Sequence, residues 1–172
     1  YYYFLGILNS YITPILVSAL SPTLNYEAGS IRKIPILFKD VEIIEENVKL
    51  LINIAKTDWD SYETSWGFLR MPLISKEHLS YEIDKSYCSL RKSWKSRIES
   101  MINLEAQNNK IFISAYGLED QLVPNPNIKD ITLICNPEYR YGSNETEEIK
   151  EKRLRSDTIK EFISYSVGCM FG

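Results

Sequence analysis

Tyr87, Trp94, Met101, Asn108 and Ala115 recur at strict seven-residue spacing. Leu90, Leu104 and Ile111 fall three positions later in the same repeat, and Ile98 and Phe112 fall one beyond that. Such a repeat lays a nearly continuous apolar seam along one helix and suits packing against a second long helix. It predicts a long helix from about Leu79 to Tyr116, with room for one break. Asn108 is a polar interruption of the kind that fixes register in a seam, and Arg97 also falls on it. Gly117 and the Pro124-Asn-Pro126 stretch supply the stop signal.

A second amphipathic helix is expected over residues 41–56, where Val41, Ile44, Val48, Leu51 and Ala55 share a face. Asp40 reads as its N-cap. Glu42, Glu45 and Glu46 place negative charge at the positive end of its dipole, so the cluster reads as helix stabilisation and not as a metal or acid–base site. Between these helices, Asp58–Leu73 is aromatic and turn-rich, with Trp59, Tyr62, Trp66 and Phe68. Aromatics of this kind either pin an irregular loop to a scaffold or stack on exposed bases, and pinning is the favoured reading. Near the end, a short strand is expected at about 128–134, then a turn and a closing helix with Asn144 and Glu147 at capping-box spacing. The apolar end of that helix (Phe162, Ile163, Val167, Met170 and Phe171) requires burial, here or against other sequence.

The expected fold class is α+β and predominantly α-helical, with a long spacer helix or coiled-coil-like helix pair and a minor strand component. The partition reads as 1–40, 41–127 and 128–172. Residues 1–20 carry no charge, but Asn9, Ser10, Thr13, Pro14 and Ser18 interrupt them and no Lys or Arg flanks them. A buried helix accounts for them better than a membrane span.

Cys88, Cys135 and Cys169 are widely separated and His78 is the lone histidine, so the paired ligands of a structural zinc site are missing. His78, beside Glu77, reads as exposed and inert, and unpaired thiols fit a cytoplasmic protein. A net charge of −3 argues against a free-standing duplex-DNA binder but not against a local basic face. Between Lys85 and Ile98 the basic residues are Lys85, Arg91, Lys92, Lys95 and Arg97, with no acidic one. Of these, Lys85, Arg91, Lys92 and Lys95, together with Arg32 and Lys33 further upstream, are candidate phosphate contacts. The bland alternative is a set of solvated charges.

Several blocks carry a family resemblance. Phe162-Ile-Ser-Tyr-Ser-Val-Gly-Cys-Met-Phe-Gly172, Asp58-Trp-Asp-Ser-Tyr-Glu-Thr-Ser-Trp66 and Asn108-Asn-Lys-Ile-Phe-Ile-Ser-Ala-Tyr-Gly-Leu118 resemble segments of the BREX-type adenine-specific DNA methyltransferases, the PglX family. Leu5-Gly-Ile-Leu-Asn-Ser10 followed by Gly29-Ser-Ile-Arg-Lys-Ile-Pro-Ile36 resembles a pattern in target-recognition domains of type I and type IIG restriction–modification proteins. There a helix precedes an extended stretch, for which Gly29 would turn the chain and Ile31, Ile34 and Ile36 would anchor it.

The matching blocks lie beyond the family's catalytic domain, so the resemblance brings no catalytic, cofactor-binding or metal residue onto this chain. It implies a piece of a longer enzyme that methylates adenine N6 from S-adenosylmethionine. Its expected partners are double-stranded DNA, a catalytic domain upstream and other subunits of a defence complex, with no membrane. The first residue, Tyr1, and the stop at Gly172 also read as those of an excised piece. Cys135-Asn-Pro-Glu-Tyr139 approximates the Asn-Pro-Pro-Tyr loop that grips a flipped adenine, but Glu138 stands at the second proline, and it reads as a turn. The segment is therefore expected to recognise and position DNA, or alternatively to serve as a protein scaffold docked through its long seam.

Overall fold

Polar side chains divide the uncharged N-terminal run into two short helices, α1 (Tyr2–Leu8) and α2 (Ile12–Leu20). The Ser10 and Thr13 hydroxyls donate to the Ile7 carbonyl at 2.7 and 2.6 Å, and the Asn9 amide donates to the Leu5 carbonyl at 2.9 Å. These bonds close α1, and the chain bends by 72° into α2. Among the described residues no single helix is long and apolar enough to cross a membrane. The computed structural model describes residues 1–20, 28–142 and 144–171.

Gly29 lies inside a short helix, α3 (Ala28–Ile31), so it does not make the turn expected of it. The extended stretch begins only after that helix. Ile34 is buried and Ile36 half-buried, whereas Ile31 stays exposed. Two tyrosines pin this stretch by its carbonyls: Tyr3 donates to Leu37 at 2.6 Å and Tyr116 donates to Pro35.

Asp40 then enters α4 (Val41–Trp59) with φ +46, a left-handed conformation that aspartate tolerates better than most residues. Ile44 and Val48 are buried, but Val41 and Ala55 at the ends of the expected stripe are exposed. The long helix α5 (Ile83–Ala115) runs unbroken for 33 residues and starts later than its apolar repeat alone suggests. Tyr87, Leu90, Trp94, Ile98, Met101, Asn108 and Phe112 are all buried, as a seam requires. It ends at Gly117, φ +66, where Leu118 N–H donates to Ile113 at 3.0 Å and Gly117 N–H to Ser114 at 3.4 Å. That bond pair closes a helix through a left-handed glycine.

The described chain forms two compact units, Tyr1–Ile52 with Ile102–Pro126 and Asn53–Met101 with Asn127–Gly172. Both α4 and α5 contribute residues to each, so two of the divisions fall inside helices. The core of the first unit joins Tyr3, Ile7, Ile12, Ile44, Val48, Phe112 and Ile113. Within it the buried Asn47 amide donates to Asn108 at 2.9 Å. The Asn109 side chain accepts from Tyr11 N–H at 3.0 Å and donates to the Pro124 carbonyl at 3.1 Å.

The second unit corrects the expected minor strand component. No strand forms among the described residues; Ile128–Asp130 is a single 3-10 turn and the rest of the segment is irregular. Burial does alternate here, because Ile131, Leu133 and Cys135 are inside and Thr132 is outside. The backbone partners, however, are side chains and not a ladder. The Asp58 carboxylate accepts from Ile134 N–H at 2.5 Å and from Cys135 N–H at 3.3 Å. The chain continues through α6 (Pro137–Tyr141) into α7 (Glu147–Phe171). Thr146, not Asn144, caps α7: its hydroxyl accepts from Ile149 N–H at 3.4 Å. The expected capping box therefore does not form.

Candidate nucleic-acid interface

The helical turn sorts the basic residues of α5 by role. At 100° per residue Lys85 and Lys92 share one face, Lys95 lies to its side, and Arg91 turns toward the buried seam. Arg91 is accordingly only 11% exposed and forms a two-pronged pair with Glu151 of α7, Nε to Oε2 at 2.9 Å and Nη2 to Oε1 at 2.5 Å. Desolvation disfavours its charge, but the hydrogen bond and charge of Glu151 outweigh that and hold the guanidinium pKa above its ordinary value. Reciprocally, the Arg91 hydrogen bond, opposed by burial and aided by the charges of Arg91 and Lys95, holds the Glu151 carboxyl below the usual glutamate value. Arg91 is thus engaged inside the fold.

Lys92 and Lys95 are exposed, and among the described residues Lys92 has no ion-pair partner. Lys85 is exposed and pairs with Glu82 at 2.9 Å, a weak surface contact. Arg32 and Lys33 are exposed just after α3 in the first unit, whereas the four candidates on α5 belong to the second. Arg97 is drawn inward, 3.8 Å from Asp58. His78 is half-buried, its Nδ1 3.0 Å from the Ser89 hydroxyl.

The buried carboxylate of Asp58 organises the aromatic segment. It ends α4, holds the 134–135 backbone and faces Arg97. Asp60 then fixes the following loop: it accepts from the Ser65 hydroxyl, which in turn accepts from Gly67 N–H at 3.0 Å. Phe68 meets Tyr165 of α7 edge-on at 5.7 Å. Pinning therefore holds for Tyr62, Phe68 and Met71, while Trp59 is half exposed and Trp66 fully exposed.

Beside this loop a cleft of about 300 Å³ is lined by Tyr62, Met71, Ile134, Arg140 and Glu161. Arg140 pairs with Glu161 at 2.8 Å and lies over the rings of Tyr62 and Tyr141. Burial, then the Asp58 charge, push the Tyr62 phenol well above its ordinary value. The fully buried Cys135 thiol is raised for the same two reasons.

The Asn136-Pro137-Glu138-Tyr139 segment is structural. Asn136 is fully buried; its amide donates to the carbonyls of Ile128 at 2.7 Å and Ile131 at 2.9 Å, and its oxygen caps α6 by accepting from Glu138 N–H at 3.1 Å. Glu138 in turn holds the buried ammonium of Lys150 at 2.6 Å. A side chain with donors and acceptor so engaged has nothing left to offer an adenine amino group. The docking seam proposed from sequence is likewise occupied, since Trp94 and Met101 are buried within the second unit.

No family model matches the chain. It is 37% identical over 172 residues to the adenine-specific methyltransferase BrxX of Escherichia coli O9:H4 (strain HS), covering 99% of this chain and 14% of that protein. It is 29% identical over 171 residues to the adenine-specific methyltransferase PglX of Lacticaseibacillus casei (strain Zhang), covering 98% of this chain and 13% of that protein. Nearly the whole chain is thus similar to one segment of these BREX-type adenine-specific methyltransferases, and it spans about one seventh of their length.

Proposed function

We propose that this segment grips and positions double-stranded DNA for an S-adenosylmethionine-dependent adenine-N6 methyltransferase of a cytoplasmic phage-defence system, and lies beyond the domain that transfers the methyl group. The carrying observation is similarity along 99% of the chain to an adenine-specific methyltransferase. Supporting it, the one loop that approximates an adenine-binding motif is used to cap a helix. In this reading the parent enzyme holds S-adenosylmethionine outside this segment.

In this reading Lys92 and Lys95 neutralise phosphates and displace counterions, which fixes the enzyme on the duplex without reading sequence. Arg32 and Lys33 supply a second set of such contacts, and Lys85 an outlying one. Arg91 contributes indirectly, by holding α5 against α7 through Glu151.

The test is steady-state methyl transfer by the parent enzyme with Lys92→Glu and Lys95→Glu combined. KM for DNA should rise roughly tenfold or more with kcat unchanged, the signature of lost uniform binding. An unchanged KM, or a fall in kcat at saturating DNA, would contradict the proposal.

A further inference from the structure

The segment that leads into α5 is folded back onto that helix. The N–H groups of His78 and Leu79 both donate to the Ser75 carbonyl, at 3.0 and 2.8 Å, and close a tight turn. At its entry Leu73 is buried; at its exit Ser80 N–H donates at 2.8 Å to the hydroxyl of Ser86, which is itself buried in α5. The turn is thus tied down on both sides of His78. The histidine sits half-buried between these ties, its Nδ1 3.0 Å from the Ser89 hydroxyl.

That hydroxyl belongs to the lysine face of α5. Lys85, Ser89, Lys92 and Ser96 follow one another at steps of four, three and four residues, so they share one side of the helix, and all four are exposed. No acidic residue falls on α5 between Lys85 and Ile98. The row is about 17 Å long, enough to follow several phosphates that rise about 3.4 Å apiece along a strand. Through Ser89, His78 is joined to this row between its two lysines.

Ring chemistry decides what the histidine does there. A serine hydroxyl donates to an imidazole nitrogen that carries no proton, and the proton then sits on the other nitrogen. With Ser89 donating to Nδ1, Nε2 becomes an N–H donor, and Nε2 has no partner among the described residues. Its acceptor on a face of ammonium and hydroxyl groups is a phosphate oxygen. The opposite tautomer would turn a lone pair toward the phosphate and be repelled.

We infer that His78 is a further phosphate contact of the DNA grip, donating through Nε2 to a backbone oxygen between those met by Lys85 and Lys92, with Ser89 setting its tautomer. This role rests on the proposed phosphate contacts of α5 and adds to them a residue from outside the helix.

The test is methylphosphonate interference with the intact parent enzyme. Duplexes carrying one uncharged methylphosphonate at a time are compared for affinity to the wild type and to His78→Ala, Ser89→Ala and Lys92→Ala. Each contacted phosphate should cost the wild type roughly tenfold when neutralised. Lys92→Ala should silence one position and His78→Ala a neighbouring one, which Ser89→Ala should blunt. Full sensitivity at every position in His78→Ala, with Lys92→Ala silencing its own, overturns the role of His78 and leaves the DNA reading standing. Silence nowhere in either variant overturns both. A uniform loss of affinity in His78→Ala, with every position still sensitive, makes the histidine a structural prop and also overturns the inference.

Discussion

Asp58 and Asn136 show how single buried polar residues replace secondary structure in this chain. Asp58 satisfies two backbone N–H groups and faces Arg97, so Asp58→Ala leaves buried donors and a cation without partners. The expected loss is about 3–5 kcal/mol, read from the urea midpoint, with less for Asp58→Asn. Asn136→Ala should cost about 2–3 kcal/mol through the lost cap and two lost amide bonds to carbonyls that each keep one backbone donor. A protein that kept its stability but lost methyl transfer would reverse the structural assignment of that motif. Glu151 adds a pH dependence. Its carboxyl is held below the unfolded value, which is about 4.3, so its contribution is present above that pH and lost as pH falls through the lower folded value. Glu151→Gln should flatten the acid limb of stability in that window.

The helices were the most legible elements, because their signals are local. Seven-residue spacing located α5, and Gly117 located its end. Asn108 does join α5 to α4, through Asn47. Asn108→Leu alone should cost about 1–3 kcal/mol by leaving the buried Asn47 amide only its 3.3 Å bond to Gln107, and the double change to leucine should cost less than the sum of the two single changes. The strand at 128–134 was misread for a physical reason: alternating burial marks an extended chain, but only a neighbouring strand makes it a sheet. Here Asp58, seventy-six residues from Ile134, supplies the partner instead, and no window of local sequence contains that pairing. The basic patch was legible as charge but not as role, since Glu151, which engages Arg91, lies sixty residues downstream.

At the scale of the whole molecule, two compact units share two continuous helices, and the residues of both serve folding wherever a chemical motif is approximated. The exposed features include a lysine face on α5 and the Trp66 side chain. Grip on DNA is the central claim, and counterion release measures it most directly. Parent-enzyme affinity for duplex DNA is to be followed across salt concentration by fluorescence anisotropy, with Lys92 and Lys95 intact or both changed to Gln. The account predicts that the slope of log affinity against log salt becomes shallower by about 1.8, near 0.9 for each phosphate contact removed. An unchanged slope would contradict it.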